Sequence, residues 1–444
     1  MLGVASLLAA CSPASDTPTP SGTSDLAGQT ITVLVSGGHR QFDPIWNGEL
    51  QKWEAQTGIT VNLQKVDTVN ILPTFLRDSQ LGQCTFDNVE MLDGGTAAAA
   101  PYMADLGEFL TADGSSVDQL ASTQVGWATK AMTFDGKLKF YPFYSGAKAV
   151  AYRKDLFEDP ANQAAFQTEF GYALPEPPTT MQQVADLAKF FTKDGNYGIV
   201  FSGSGDPGGT TLSDLSFRNG VGGFQDDNGN ALFGPAHPDN AAKVTQAAQW
   251  LSDLIKNGYA PSTLTAMQTT DTASLFTSGK VAMDYDHIYL SWSALNDPSS
   301  AVAGKVGSFE IPSFVQGQGG IPFYWGRGIP ECSQHKAASW AFTKWIMSPD
   351  IQKLALSKGT GVYVPTDTDL LAWATSQNII PQGVADAVTH AQYYKITPVT
   401  NSIRNDIGIP EAEKLFGGAD PTSLVTDFGN QVQQAAVDAG LASN

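Results

Sequence analysis

Asp284-Tyr285-Asp286-His287 sets two carboxylates and an imidazole within four residues, donor types that can hold a divalent cation. The run that contains them, VAMDYDH, reads as a strand. Strand alternation sends Asp284 and Asp286 to one face and His287 to the other, so the donors are split and no metal is expected. Gly203-Ser204-Gly205-Asp206-Pro207-Gly208 follows a strand and spells the glycine pattern of a dinucleotide cradle, with Asp226 and Asp227 near the ribose-binding distance. Asp206 and Pro207 stand where a pyrophosphate would approach, so no nucleotide cofactor is expected. Asp226–Asn230 (DDNGN) echoes a calcium loop, but Gly229 is out of place and the twelfth position is His237 instead of Glu. Asn228-Gly229 predicts a hairpin turn instead. The chain has neither the Gly-Lys-Ser/Thr of a phosphate loop nor a G-x-S-x-G nucleophile elbow. A carboxylate pair for glycoside hydrolysis is defined by distance in space, and sequence leaves that alternative open.

The elements that would position these residues alternate. Gln29–Ser36 (QTITVLVS) is nearly continuously apolar, as a buried parallel strand is. Trp46, Leu50 and Trp53 then share a helical face, and Gly58 supplies a C-cap. Ile59–Val66 is a second strand, Leu72–Leu81 a helix and Asn88–Leu92 a third strand. Strand and helix in turn, with short connections, indicate a doubly wound α/β layer. Later, Thr179 or Thr180 caps a helix after Pro177-Pro178, and Tyr197–Ser202 is a strand leading into a glycine-rich loop. Asp239 is expected to cap a helix with Val244, Ala247, Ala248, Leu251 and Ile255 inward.

The 444 residues, 42% of them hydrophobic, suffice for two domains of about 150–200 residues, each with its own core. Twenty-five Lys and Arg against 44 Asp and Glu give a net charge of −19, which argues against nucleic acid and against a polybasic membrane patch. The first ten residues, MLGVASLLAA, form an apolar run ending in small residues and followed by Cys11, the pattern of an export signal. Leu8-Ala9-Ala10-Cys11 resembles a bacterial lipobox, which implies a diacylglyceryl anchor on Cys11, although no basic residue precedes the run. Residues 11–28, rich in Ser, Thr, Pro and Gly, then read as a flexible tether. Cys84 and Cys332 remain, either as one disulfide or as two thiols.

Several segments, taken in order, resemble the extracellular solute-binding proteins of ABC importers, the maltose-binding-protein-like group. They are Trp46–Gly58 with the following ITV, FYPFYSGAKAVAYRKDLF (140–157, with Arg153 where Asn is usual), Pro177–Met181, Asn219–Gly223 with Asp227–Phe233, LFTSGKVAM (275–283) and AASWAFTKWIMSPDIQKLA (337–355). The resemblance implies a two-lobe α/β fold of the type II periplasmic-binding kind, with a ligand cleft at the hinge. It implies an N-terminal lobe of residues 29–145 plus 285–331 and a C-terminal lobe of 146–284 plus 332–444. Chain crossings are expected near Tyr144–Ala147, Val281–Asp286 and Ile329–Ser333.

On that basis the ligand contacts fall on loops after strands and on hinge segments: His39, Arg40, Asp67, Asp93, Tyr144, Ser145, Asp206, Asp284, Asp286, His287, Trp292, Tyr324, Trp325 and Arg327. Gly205 is a further nominee, and Tyr363 and Tyr394 lie in loops without an assigned place. The set suits a carbohydrate, since flat rings pack against the C–H face of a sugar and carboxylates and guanidinium forks satisfy adjacent hydroxyls. Trp292 and Trp325 are the leading stacking platforms. The expected protein is a monomeric, non-catalytic receptor without cofactor, anchored by lipid to the outer face of the cell membrane and delivering sugar to ABC permease subunits. A sugar phosphate or other anion is the alternative ligand, and a surface glycoside hydrolase the alternative activity.

Overall fold

The computed structural model describes residues 26–226 and 228–442, with residues 206–208 described as backbone only. The expected signal, the Cys11 anchor and most of the tether lie outside the described residues. Among the described residues twelve strands follow in order: β1 (Thr30–Ser36), β2 (Thr60–Val66), β3 (Asn88–Leu92), β4 (Thr133–Phe134), β5 (Lys137–Leu138), β6 (Tyr141–Gly146), β7 (Ala149–Arg153), β8 (Tyr197–Val200), β9 (Val281–Asp286), β10 (Val306–Phe309), β11 (Phe323–Gly328) and β12 (Val364–Pro365). They form a six-stranded sheet in the order β12-β6-β11-β3-β1-β2, a four-stranded sheet β10-β7-β9-β8, and the small β4-β5 hairpin.

The first lobe is built on the larger sheet. β2, β1 and β3 run parallel, joined by helices at Leu50–Thr57 and Ile71–Gln80. Gly58 closes the first helix in the left-handed conformation, φ 70°, that glycine adopts without a Cβ penalty. β11 enters between β3 and β6 antiparallel to both, so its N-terminal residues lie at the C-terminal end of β3. The second lobe is built on the smaller sheet, where β8 and β9 are parallel and β7 lies antiparallel to β9. Thr180 caps the helix Met181–Phe191 in a reciprocal arrangement with Gln183. His237, not Asp239, occupies the N-cap of Pro238–Lys256, because Pro238 takes the first helical position that its fixed φ favours.

The chain passes from β6 to β7, in the other sheet, at Ala147-Lys148, just beyond the expected Tyr144–Ala147, and the later crossings differ. β9 leads to β10 within the same sheet, so Val281–Asp286 is no crossing; residues 310–322 carry the chain back to β11. After Ile329–Ser333 the chain stays with the larger sheet. Helix Lys336–Ile346 packs there, with Asn88 donating to Ser339 and Thr343 (3.1 and 2.9 Å) and Trp345 stacked on Trp53. β12 pairs with β6 in that sheet too. Strand pairing therefore puts residues 285–309 with the second lobe and 332–365 with the first, opposite to the expected division. Cys84 and Cys332 are bonded, their Cα atoms 5.9 Å apart, and both belong to the first lobe.

Candidate functional site

The C-terminal ends of β1 and β3, the start of β11 and the C-terminal ends of β8 and β9 meet where the lobes face each other. Loops after parallel strands are where open α/β sheets hold ligands. On the first lobe His39 follows β1 and is buried. Its ring stands edge-on to Trp325 (centroids 4.3 Å), Tyr363 (4.8 Å) and Tyr144 (5.1 Å). His39 Nδ1 contacts Glu90, and the Tyr144 hydroxyl lies 2.8 Å from it and donates to Glu90 at 3.1 Å. Arg327 completes the knot from below, 3.4 Å from Glu90 and 2.6 Å from Asn88 Oδ1, with its guanidinium over the rings of Phe143 and Phe342. Burial alone would raise the Glu90 carboxyl, but His39, Arg327 and the Tyr144 hydrogen bond together bring it below the usual value.

On the second lobe Asp286 ends β9. It accepts from Lys148 Nζ (3.0 Å), from the hydroxyls of Ser202, Thr269 (3.2 Å) and Thr272 (3.1 Å), and from the backbone N–H of His287 (2.8 Å). Those partners overcome burial and hold Asp286 down at about 2. His287 is pushed down to about 3, by burial first and by Lys148 second, so its imidazole is neutral at pH 7. Asp284, two residues deeper on the same face, moves the other way: burial and then the neighbouring Asp286 charge raise it well above the usual range.

Arg404 joins the lobes. It donates from Nη1 to Asp93 Oδ1 (2.9 Å) and from Nη2 to Asp93 Oδ2 (3.0 Å), and Nη2 also reaches the Tyr394 hydroxyl at 2.7 Å. Phe323, at the start of β11, lies between the walls, 6.1 Å from the His287 ring and 6.4 Å from Trp325. A cavity of about 190 Å³ opens beside Phe323, between Thr68, Leu72 and Leu92 on one side and Asn401, Arg404 and Asn405 on the other. Among the described residues, the buried polar atoms here without a hydrogen-bond partner include His39 Nε2, Trp325 Nε1 and the Tyr324 hydroxyl, with Arg327 Nε and both Asp284 oxygens beneath them.

The structure thus brings together His39, Asp93, Tyr144, Asp286, His287, Tyr324 and Trp325 at the junction of the lobes, with Tyr363 and Tyr394. Asp284 lies beneath it. Arg40 and Asp67 are exposed on the loops after β1 and β2. Ser145 is buried in β6 and donates to the Val364 carbonyl (3.4 Å). Trp292 is not a platform in the cleft: it is buried, with its indole N–H spent on the Asn378 carbonyl at 3.2 Å. Arg327, expected among the ligand contacts, is instead a buried brace under Glu90. Asp206 belongs to the first turn of helix Gly205–Arg218, and its side chain lies outside the described residues. Sequence reasoning missed Glu90, Lys148, Phe323 and Arg404. An acid inside the buried strand NVEML and a lysine at the first crossing are signals that charge burial makes readable; Arg404 sits in a segment with no clear period.

The profile of the family described as bacterial extracellular solute-binding protein matches residues 37–353. A mannitol-binding protein of Pseudomonas aeruginosa is 28% identical over 262 residues, which cover 58% of this chain and 55% of that protein. The chain thus spans about half the length of this curated relative. Among solved structures, the maltose-bound MalE3 of T. maritima is similar with a TM-score of 0.69 and 19% identity, over 91% of this chain and 99% of that one. The ribitol complex of an ABC transporter solute-binding protein from Agrobacterium radiobacter K84 is similar with a TM-score of 0.68 and 23% identity, over 92% and 99%. The two-lobe fold is shared across these structures, and the family profile covers most of the chain. By these matches the chain belongs to the bacterial extracellular solute-binding proteins, a family of binding proteins and not of enzymes.

Proposed function

We propose that this chain is the receptor of an ABC importer for a small neutral carbohydrate or sugar alcohol, held between the lobes and handed to the permease. The observation that carries the reading is the set of unpartnered buried polar atoms on His39, Trp325 and Tyr324, placed among flat rings where the lobes meet. An unpaired buried polar group costs roughly 1–3 kcal/mol, a cost that a ligand hydroxyl would remove. The same rings offer the apolar face that a sugar's C–H groups need. The relatives bound to maltose and ribitol, and the mannitol-binding protein, support the ligand class.

The cations support a neutral ligand over an anion. Arg404 faces Asp93, Lys148 faces Asp286 and Arg327 faces Glu90, so each of these buried charges already has a counter-charge. The cavity is smaller than the roughly 300–1,000 Å³ of drug-sized ligand sites, which favours one sugar ring or a short polyol. Cys11 carries the lipid that tethers the receptor outside the membrane; among the described residues no helix is long and apolar enough to cross it.

Thermal unfolding with a panel of hexoses, hexitols, disaccharides and sugar phosphates tests the reading. A ligand that binds only the folded state at 100 times its dissociation constant adds about 2.7 kcal/mol and raises the midpoint. A rise with a neutral monosaccharide or polyol is the expected result. A rise with sugar phosphates alone would overturn it.

A further inference from the structure

Flat rings crowd the junction of the lobes, but few of them have a face to spare. His39, Tyr144, Tyr289, Tyr324 and Trp325 are buried. Tyr363 is half-buried, with the rings of His39, Tyr144 and Tyr289 around it at 4.8, 5.4 and 5.9 Å. Phe323 differs. It too is half-buried, and it is the one aromatic ring among the described residues that lines the cavity between the lobes. It opens β11 opposite Gly146, where a Cβ would overlap the Tyr289 ring, so Tyr289 closes that flank. Trp325, two residues along the same face of the strand, and His287 from the second lobe close others, with centroids 6.4 and 6.1 Å away. The flank left open faces the cavity, and across it stand Asn401 and Asn405 of the second lobe.

We propose that Phe323 is a specificity-determining residue of the sugar site: it takes the C–H face of the ligand and rejects epimers that turn a hydroxyl toward it. The proposal rests on the carbohydrate reading and goes beyond it by saying which members of that class are refused. A phenyl ring packs against C–H groups but has no donor or acceptor for a hydroxyl. A hydroxyl pressed on Phe323 therefore leaves water without gaining a partner, and a buried unpaired polar group is the costly kind. Sites discriminate most sharply when the wrong ligand strands such a group. Inverting one carbon of a hexose or hexitol moves a hydroxyl between faces and alters neither size nor charge. Cavity volume and the paired charges around it are blind to that change, and Phe323 is not. Trp325 beside it supplies the N–H, and Phe323 supplies the face.

Calorimetric titration of the chain, with Cys11→Ser to remove the anchor, tests this with D-glucose, D-mannose, D-galactose, D-mannitol and D-glucitol, which pair off as epimers at one carbon. The parent should separate its preferred sugar from an epimer by about tenfold or more. Phe323→Asn, which sets an amide where the ring was, should shrink that ratio to about threefold or less. Phe323→Leu, apolar like the parent, should weaken every sugar and keep the order of epimers. The ratio is the readout because a general loosening of the site weakens all sugars alike and leaves it unchanged. Should Phe323→Asn fold poorly by circular dichroism, Phe323→Gln decides in its place. A parent that binds epimers equally, or a folded Asn or Gln variant that keeps the parent's ratio, would overturn the proposal and leave the carbohydrate reading standing. A parent that binds none of the five would overturn that reading and the proposal with it.

Discussion

The two walls of the cleft each bury an acidic knot at the ends of their central strands, and the knots settle their charge differently. On the first lobe Glu90 is ionised, because His39, Tyr144 and Arg327 converge on it. On the second lobe two carboxyls share one close cation, Lys148. Asp286 takes it along with three hydroxyls, and Asp284 is left with both oxygens unpartnered and holds its proton. Burial raises all three carboxyls, and the count of partners decides which of them ionise. The first wall is thereby a rigid ring-lined platform, and the second a pocket of hydroxyls and a neutral imidazole.

The largest way to break this contrast is to remove Arg327. Arg327→Met leaves Glu90 buried without its guanidinium partner, and urea unfolding should show a loss of about 3–5 kcal/mol. Trp325→Ala belongs in the same range, about 3–5 kcal/mol, because the indole is fully buried and its removal opens a cavity. A platform that tolerates truncation to alanine is ruled out by that burial, so its role in binding needs a milder change. Next in size is the Cys84–Cys332 bond, which closes a 248-residue separation within the first lobe. Replacing both cysteines by Ser should cost about 2–5 kcal/mol in the same assay.

The second wall is sharpened by pH. His287 binds a proton more weakly folded, at about 3, than unfolded, near 6.5. The unfolded chain therefore holds more protons in that window, and stability falls as pH drops from 6.5 towards 3. Asp284 has the opposite sign: its raised folded value means that stability falls as pH rises above its unfolded value near 3.8. His287→Gln should flatten the acid-side loss, and Asp284→Asn should steepen it while stabilising the protein at neutral pH. Denaturant midpoints between pH 4 and 7 read both. An Asp284→Asn protein less stable at pH 7 than the parent would contradict a protonated Asp284.

Much of this scaffold was legible from local pattern. Residues 88–92 form the strand that their apolar run predicts, Gly58 ends its helix, and Thr180 with Gln183 builds a capping box, because these features depend on neighbours a few residues away. The crossings were not legible. Whether β9 hands the chain to its own sheet or the other depends on pairing with β7, more than 100 residues earlier, and β10 carries no mark of its partner. Among the residues that meet at the lobe junction, His39 and Asp93 follow from their places after β1 and β3. Arg404 does not, since a π-helical run sets its direction. Trp292 failed as a platform because an aromatic ring beside a strand packs inward as readily as it faces a cleft, and only the structure shows its N–H on Asn378.

The smallest expected effect lies closest to function. Trp325→Phe keeps one aromatic ring but removes the unpartnered N–H together with the five-membered ring, and should weaken sugar binding by at least about 1 kcal/mol, or roughly fivefold, in calorimetry. The measurement that tests the central claim most directly follows that N–H itself. In ¹⁵N-labelled protein the Trp325 indole resonance, identified by its loss in Trp325→Phe, should move when a neutral hexose or hexitol is titrated in, and should stay put with a sugar phosphate. A neutral sugar that binds and leaves that resonance in place, or a panel in which only the phosphate moves it, would contradict a carbohydrate site built on His39, Tyr324 and Trp325.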